Sequence, residues 1–128
     1  MKNKKSRFCL IEKTIFPFDI LIAVSTLEEI IKYIEKNKNY DLCDEEKEKL
    51  EMQGNGKAVM LKGGQTIIRL KPQKTSLGID IADLAHEIEH AVFFICDKIG
   101  IKHTDDSDEV FAYYQAFITR EALKFFQK

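Results

Sequence analysis

Two apolar runs near the start, residues 7–15 and 18–24, are parted by Pro17. They predict two strands, because proline edges or punctuates strands rather than sitting inside a central one. Ser25-Thr26-Leu27-Glu28 then reads as a capping box, with Ser25 as N-cap and Glu28 at the third helical position. The helix it opens is expected to run to about Asn37, with Leu27, Ile30, Ile31 and Ile34 on its buried stripe. Residues 37–55 are polar and acidic, and 44–51 predict a short surface helix or a loop whose charges are solvated. The apolar runs 57–61 and 66–70 are joined by Lys62-Gly63-Gly64-Gln65, a hairpin signal. Residues 72–78 form a loop. A helical period follows over about 79–99, stopped by Gly100. After the connection 101–105, a last helix is expected over about 106–126. The chain therefore predicts one α+β domain over residues 1–128: a small, largely antiparallel sheet with an N-terminal helix, then a hairpin of two long helices.

Composition narrows the class of partner. Lys and Arg number 20 against 21 Asp and Glu, so the chain has no basic footprint for nucleic acid. Lys2, Lys4, Lys5 and Arg7 read as a solvated end rather than a binding arm. No apolar run approaches the length of a membrane helix, and no secretory leader pattern is visible. Three widely spaced cysteines, Cys9, Cys43 and Cys96, fit reduced thiols better than a disulfide framework. A cytoplasmic protein with no nucleic-acid or membrane partner is expected.

The chemistry concentrates in His86-Glu87-Ile88-Glu89-His90, an H-E-x-x-H pattern inside the predicted 79–99 helix. Positions i and i+4 share a helix face, so both imidazoles can reach one metal ion, with Glu87 beside it as a general base. Ile81, Leu84, Ile88, Ala91, Val92, Ile95 and Ile99 share the opposite, core-facing side. Phe93 and Phe94 lie on the histidine side, which the last helix is expected to cover.

A catalytic zinc needs a third protein ligand and an open position. Glu109 follows His90 with eighteen residues between them and is the leading candidate; Asp108 and His103 are rivals. Glu109 has a competing structural role, because Asp106-Ser107-Asp108-Glu109 also reads as a capping box. Ala112 and Ala116 flank Glu109 on a small-residue face suited to close helix approach, with Tyr113 one turn on.

Leu84-Ala85-His86-Glu87-Ile88-Glu89-His90-Ala91 and Asp108-Glu109-Val110-Phe111-Ala112-Tyr113 resemble the paired motifs of minimal gluzincins, and of small phage-encoded proteins with the same pattern. The resemblance covers about residues 66–126. It implies a zincin-like domain and a zinc metallopeptidase, with His86, His90 and Glu109 as metal ligands and Glu87 as the base. It also implies a peptide or protein substrate paired along the strand Thr66–Leu70. The chain departs from the family where an acidic residue one turn after the third ligand is replaced by Tyr113. Tyr113 and Tyr114 are candidates for steadying the oxyanion, and Asp83 and Asp97 for orienting a histidine. A non-catalytic zincin-fold protein that binds a host or partner protein is the alternative. A regulatory protease module acting with a partner chain is a third reading.

Overall fold

The computed structural model describes residues 6–13, 15–37 and 40–128; Lys2, Lys4 and Lys5 lie outside them. The elements, in chain order, are β1 (Arg7–Ile11), β2 (Ile20–Val24), α1 (Leu27–Asn37), α2 (Asp44–Lys49), β3 (Gly56–Met60), β4 (Thr66–Leu70), α3 (Ile81–Lys98) and α4 (Asp108–Phe126). The four strands form one sheet in the order β1-β2-β4-β3. The fold class is α+β. The sheet is mixed: β1–β2 and β3–β4 are antiparallel, and β2–β4 is parallel.

Strand β2, Ile-Leu-Ile-Ala-Val, is buried at every position. An unbroken apolar run suits a strand covered on both faces. Its alternate residues serve two cores. Ile20, Ile22 and Val24 join the core under α3 and α4, while Leu21 and Ala23 join the one under α1 and α2. The helices thus cover both faces of the sheet. On α3 the buried stripe is Leu84, Glu87, Ile88, Ala91, Val92, Ile95 and Cys96. Ile81, expected on that stripe, is the first residue of the helix and is exposed.

Several ends differ from the capping patterns. Helix α1 is capped one residue later than expected: Thr26 Oγ1 accepts from Glu29 N at 3.2 Å, and Ser25 instead meets Ser6. Thr26-x-x-Glu29 satisfies the same spacing. Arg7 is no solvated end. Its guanidinium donates to the carbonyls of Leu77 (2.7 Å) and Phe126 (3.3 Å) and lies over the Phe126 ring, tying β1 to α4 and to the loop before α3. Cys9, Cys43 and Cys96 are free thiols.

The acidic segment is also more than solvated charge. Glu46 is 3% exposed. Its carboxylate accepts from Cys43 N–H, the Tyr40 hydroxyl and Lys62 N–H at 3.1, 2.8 and 2.9 Å. These bonds anchor α2 to the turn after β3. Burial pushes the Glu46 carboxyl up, but the bonds from Lys62, Cys43 and Tyr40 outweigh it and hold the group below its ordinary 4.5. A depressed folded-state value stabilises the fold fully above pH 4.5, and that contribution is lost as pH falls through the lower folded value. Glu46→Ala is expected to cost about 2–4 kcal/mol at neutral pH by leaving buried donors unpaired. Denaturant unfolding of both proteins should show this gap at pH 7 and a smaller one at about pH 3.

Candidate active site

Helix α3 is launched by Asp80, whose side chain accepts from Asp83 N at 3.0 Å, and it runs unbroken through the motif. The i, i+4 spacing brings the Nε2 atoms of His86 and His90 to 3.2 Å from each other. Two nitrogens bound at zinc distances of about 2.0–2.1 Å in a tetrahedron stand roughly 3.3 Å apart. The imidazole pair therefore fits two positions of one metal ion. His90 also stacks on Phe94, with ring centroids 6.0 Å apart.

Glu87 departs from this exposed pair. It lies on the buried stripe of α3, three residues after Leu84 and four before Ala91, and is only 7% exposed. Among the described residues it has no hydrogen-bond or ion-pair partner. It reaches the sheet at Gly56, the first residue of β3. A β-carbon on Gly56 would lie 3.0 Å from Glu87 Cγ and 3.0 Å from Oε2. The missing side chain at 56 leaves the space that Glu87 occupies.

His86, Glu87, His90 and Phe94 line one side of an open cleft of about 650 Å³. Gly56, Lys57 and Ala58 of β3 lie along it, and Glu48 and Glu51, from α2 and just beyond, complete the other side. Sequence reasoning missed this far wall. Nothing in residues 44–51 marks Glu48 or Glu51, but the spacing of Leu42, Glu46 and Leu50 signals a buried face that would hold the helix down.

The strand beside the cleft is β3, not β4. The expectation that a substrate pairs along Thr66–Leu70 is corrected by the topology: β4 lies between β2 and β3, so both its edges are taken. Strand β3 pairs only with β4 among the described residues. Leu61 N bonds to Gln65 O and Lys71 N to Asn55 O. The alternation of an antiparallel ladder then puts the inward bonds at residues 55, 57, 59 and 61. The N–H and C=O groups of Gly56, Ala58 and Met60 face the open edge.

The remaining sequence candidates are dispersed. Helix α4 buries Phe111, Tyr114, Ile118 and Ala122. Glu109, Ala112, Tyr113 and Ala116 lie on its exposed face, so the small-residue face is turned to solvent rather than against α3. Neither Glu109 nor Tyr113 lines the cleft, and Tyr113 is 70% exposed. Among the described residues no three His, Cys, Asp or Glu side chains converge on one point, so Glu109 is not brought to the histidine pair. The competing cap is not formed either: Ser107 precedes the helix without a side-chain cap bond, and Glu109 has no capping role. The rival ligands occupy each other, His103 Nε2 lying 2.6 Å from Asp108 Oδ1. His103 packs on Phe93 and Phe111, so the connection and the start of α4 contact Phe93 but leave it 39% exposed. Tyr114 is buried against Phe16, and burial, then the nearby Cys96, push its hydroxyl up to about 12. Asp83 and Asp97 hydrogen-bond to neither histidine.

Comparison with protein-family models, curated proteins and solved structures finds no match to this chain. No helix of the described residues is long and apolar enough to cross a membrane.

Proposed function

We propose that the chain is a zinc-dependent metallopeptidase. The observation that carries this is the nearly buried, unpartnered Glu87 beside two imidazole nitrogens 3.2 Å apart. The residue is set into the core stripe of α3 while it lines the open cleft together with both histidines, where a carboxylate can move a proton. His86 and His90 would hold the metal at two of its positions; Glu109, the third donor by spacing, stands on the exposed face of α4 and does not complete the site in this structure. Zinc, when bound, supplies Lewis acidity that polarises a carbonyl and acidifies a water. Glu87 would be the group that takes up a proton at its carboxylate and returns it to the departing amine. The open edge of β3 would hold the substrate backbone in an extended form.

The alternative, a non-catalytic protein that binds a partner, draws on the solvent position of Glu109. Glu87 weighs against it, because a binding surface gains nothing from a carboxylate set into the core stripe.

Incubation with a mixed extended-peptide library tests the proposal. Cleavage is expected from the zinc-loaded protein, with loss in chelator and in His86→Ala. An unchanged library with zinc bound would contradict it.

A further inference from the structure

Resting on the reading of this cleft as a peptide-binding site, we infer that it selects extended peptides with lysine or arginine at alternate positions. The two faces of β3 lead to different walls. Ala58 and Met60 face the core under α3, and Val59 faces the core that includes Leu42 and Leu50 at the ends of α2. A strand added to the open edge of β3 continues this alternation, because successive side chains point to opposite faces. One set of its side chains is directed to the α3 side, with His86, Glu87 and Phe94. The other is directed to the α2 side, where Glu48 and Glu51 stand.

Those two carboxylates are exposed and lie in no ion pair among the described residues. Lys57 is the cleft's one cation among its described lining residues, and its ammonium donates to the Glu51 carbonyl at 3.3 Å. Glu87, nine-tenths buried and unpartnered among the described residues, lines the α3 wall of the same cleft, where a bound zinc would offset its charge, so the uncompensated acidity is that of Glu48 and Glu51 on the α2 wall. With 20 basic and 21 acidic residues, the whole chain is almost balanced, so this acidity is local. A basic side chain meets favourable charge on the α2 wall, and an acidic one meets repulsion. Exposed charges act weakly one at a time and are screened by salt. The preference is therefore moderate and salt-sensitive.

Fluorescence anisotropy with three labelled peptides tests this: alternating Lys-Ala, Ser-Ala and Glu-Ala. In the zinc-loaded protein at low salt, Lys-Ala is expected to bind roughly 3–30-fold more tightly than Ser-Ala, with Glu-Ala weakest. The advantage should vanish in Glu48→Gln/Glu51→Gln, whose substituted positions are exposed, and shrink in high salt. Equal binding of the three peptides, binding of none, or a preference that survives the double substitution would overturn the inference. Hydrolysis is read separately. A basic preference without cleavage would overturn the peptidase reading and leave the inference standing, while cleavage without a basic preference would do the reverse.

Discussion

Glu87→Met is expected to make the protein more stable and catalytically silent. Glu87 sits between Leu84, Ile88 and Ala91 on the buried stripe of α3, 7% exposed and without a polar partner among the described residues. The carboxylate end opens on the cleft, so holding it beside the core costs about 1 kcal/mol or less, the low end of the range for buried polar groups. Met has nearly the same length and flexibility and fills the same space. Removing that cost should raise stability by up to about 1 kcal/mol, or roughly 3–5 °C in Tm. The same change removes the proposed proton carrier. Hydrolysis should fall by at least about 10²–10⁴-fold, the usual contribution of general acid–base catalysis. Zinc content should not change, because both histidines remain. A stability gain combined with loss of activity marks a site where function is kept at the expense of the fold. Denaturant unfolding and a peptide assay on the same preparation check both halves. A less stable Glu87→Met protein would mean that the carboxylate has a structural partner.

The second large effect is expected at Gly56. The strand passes so close to α3 that a β-carbon there would lie 3.0 Å from two atoms of Glu87 and 3.2 Å from Leu70 Cδ2. Leu70 is buried, so the flexible Glu87 side chain is the group that yields. Gly56→Ala should displace the carboxylate by a few tenths of an ångström, and Gly56→Val by more. Misplacement of a catalytic group on the ångström scale costs on the order of 10²-fold. Gly56→Val is expected to lose about that much kcat, with zinc content unchanged and peptide binding reduced less. Equal activity in wild type and Gly56→Val would show that Glu87 does not act from its position against β3.

The parts of this fold that were legible are those set by local pattern. The buried strand β2 is written in five consecutive apolar residues, and the 62–65 turn in its two glycines, of which Gly64 adopts φ 100°. The motif helix follows from its period, but Glu87 was expected beside the histidines and not on the buried stripe, where its spacing to Leu84 and Ala91 puts it. The parallel pairing of β2 with β4 has no local signature, because it depends on how the chain crosses between strands distant in sequence. Which hairpin strand forms the edge was misread as Thr66–Leu70, although β3 carries a signal for it. Gly56 and Lys57 open β3, and glycine and lysine are common marks of an exposed or closely approached strand. The face of α4 was harder. Alanines at 112 and 116 suit both a close helix contact and open water, so periodicity alone does not say which side a neighbour covers. That ambiguity turned the expected Glu109–Tyr113 face away from the histidines.

The central claim is that His86 and His90 share one metal ion. Metal content per chain, measured on purified zinc-supplied protein beside His86→Ala, His90→Ala, Glu109→Ala and Glu48→Ala/Glu51→Ala, tests it most directly. The account predicts one zinc per chain in wild type, lost in both histidine variants, and retained in Glu109→Ala and when Glu48 and Glu51 are removed. Wild-type protein that takes up no zinc in excess metal, or keeps it after loss of either histidine, would contradict the account.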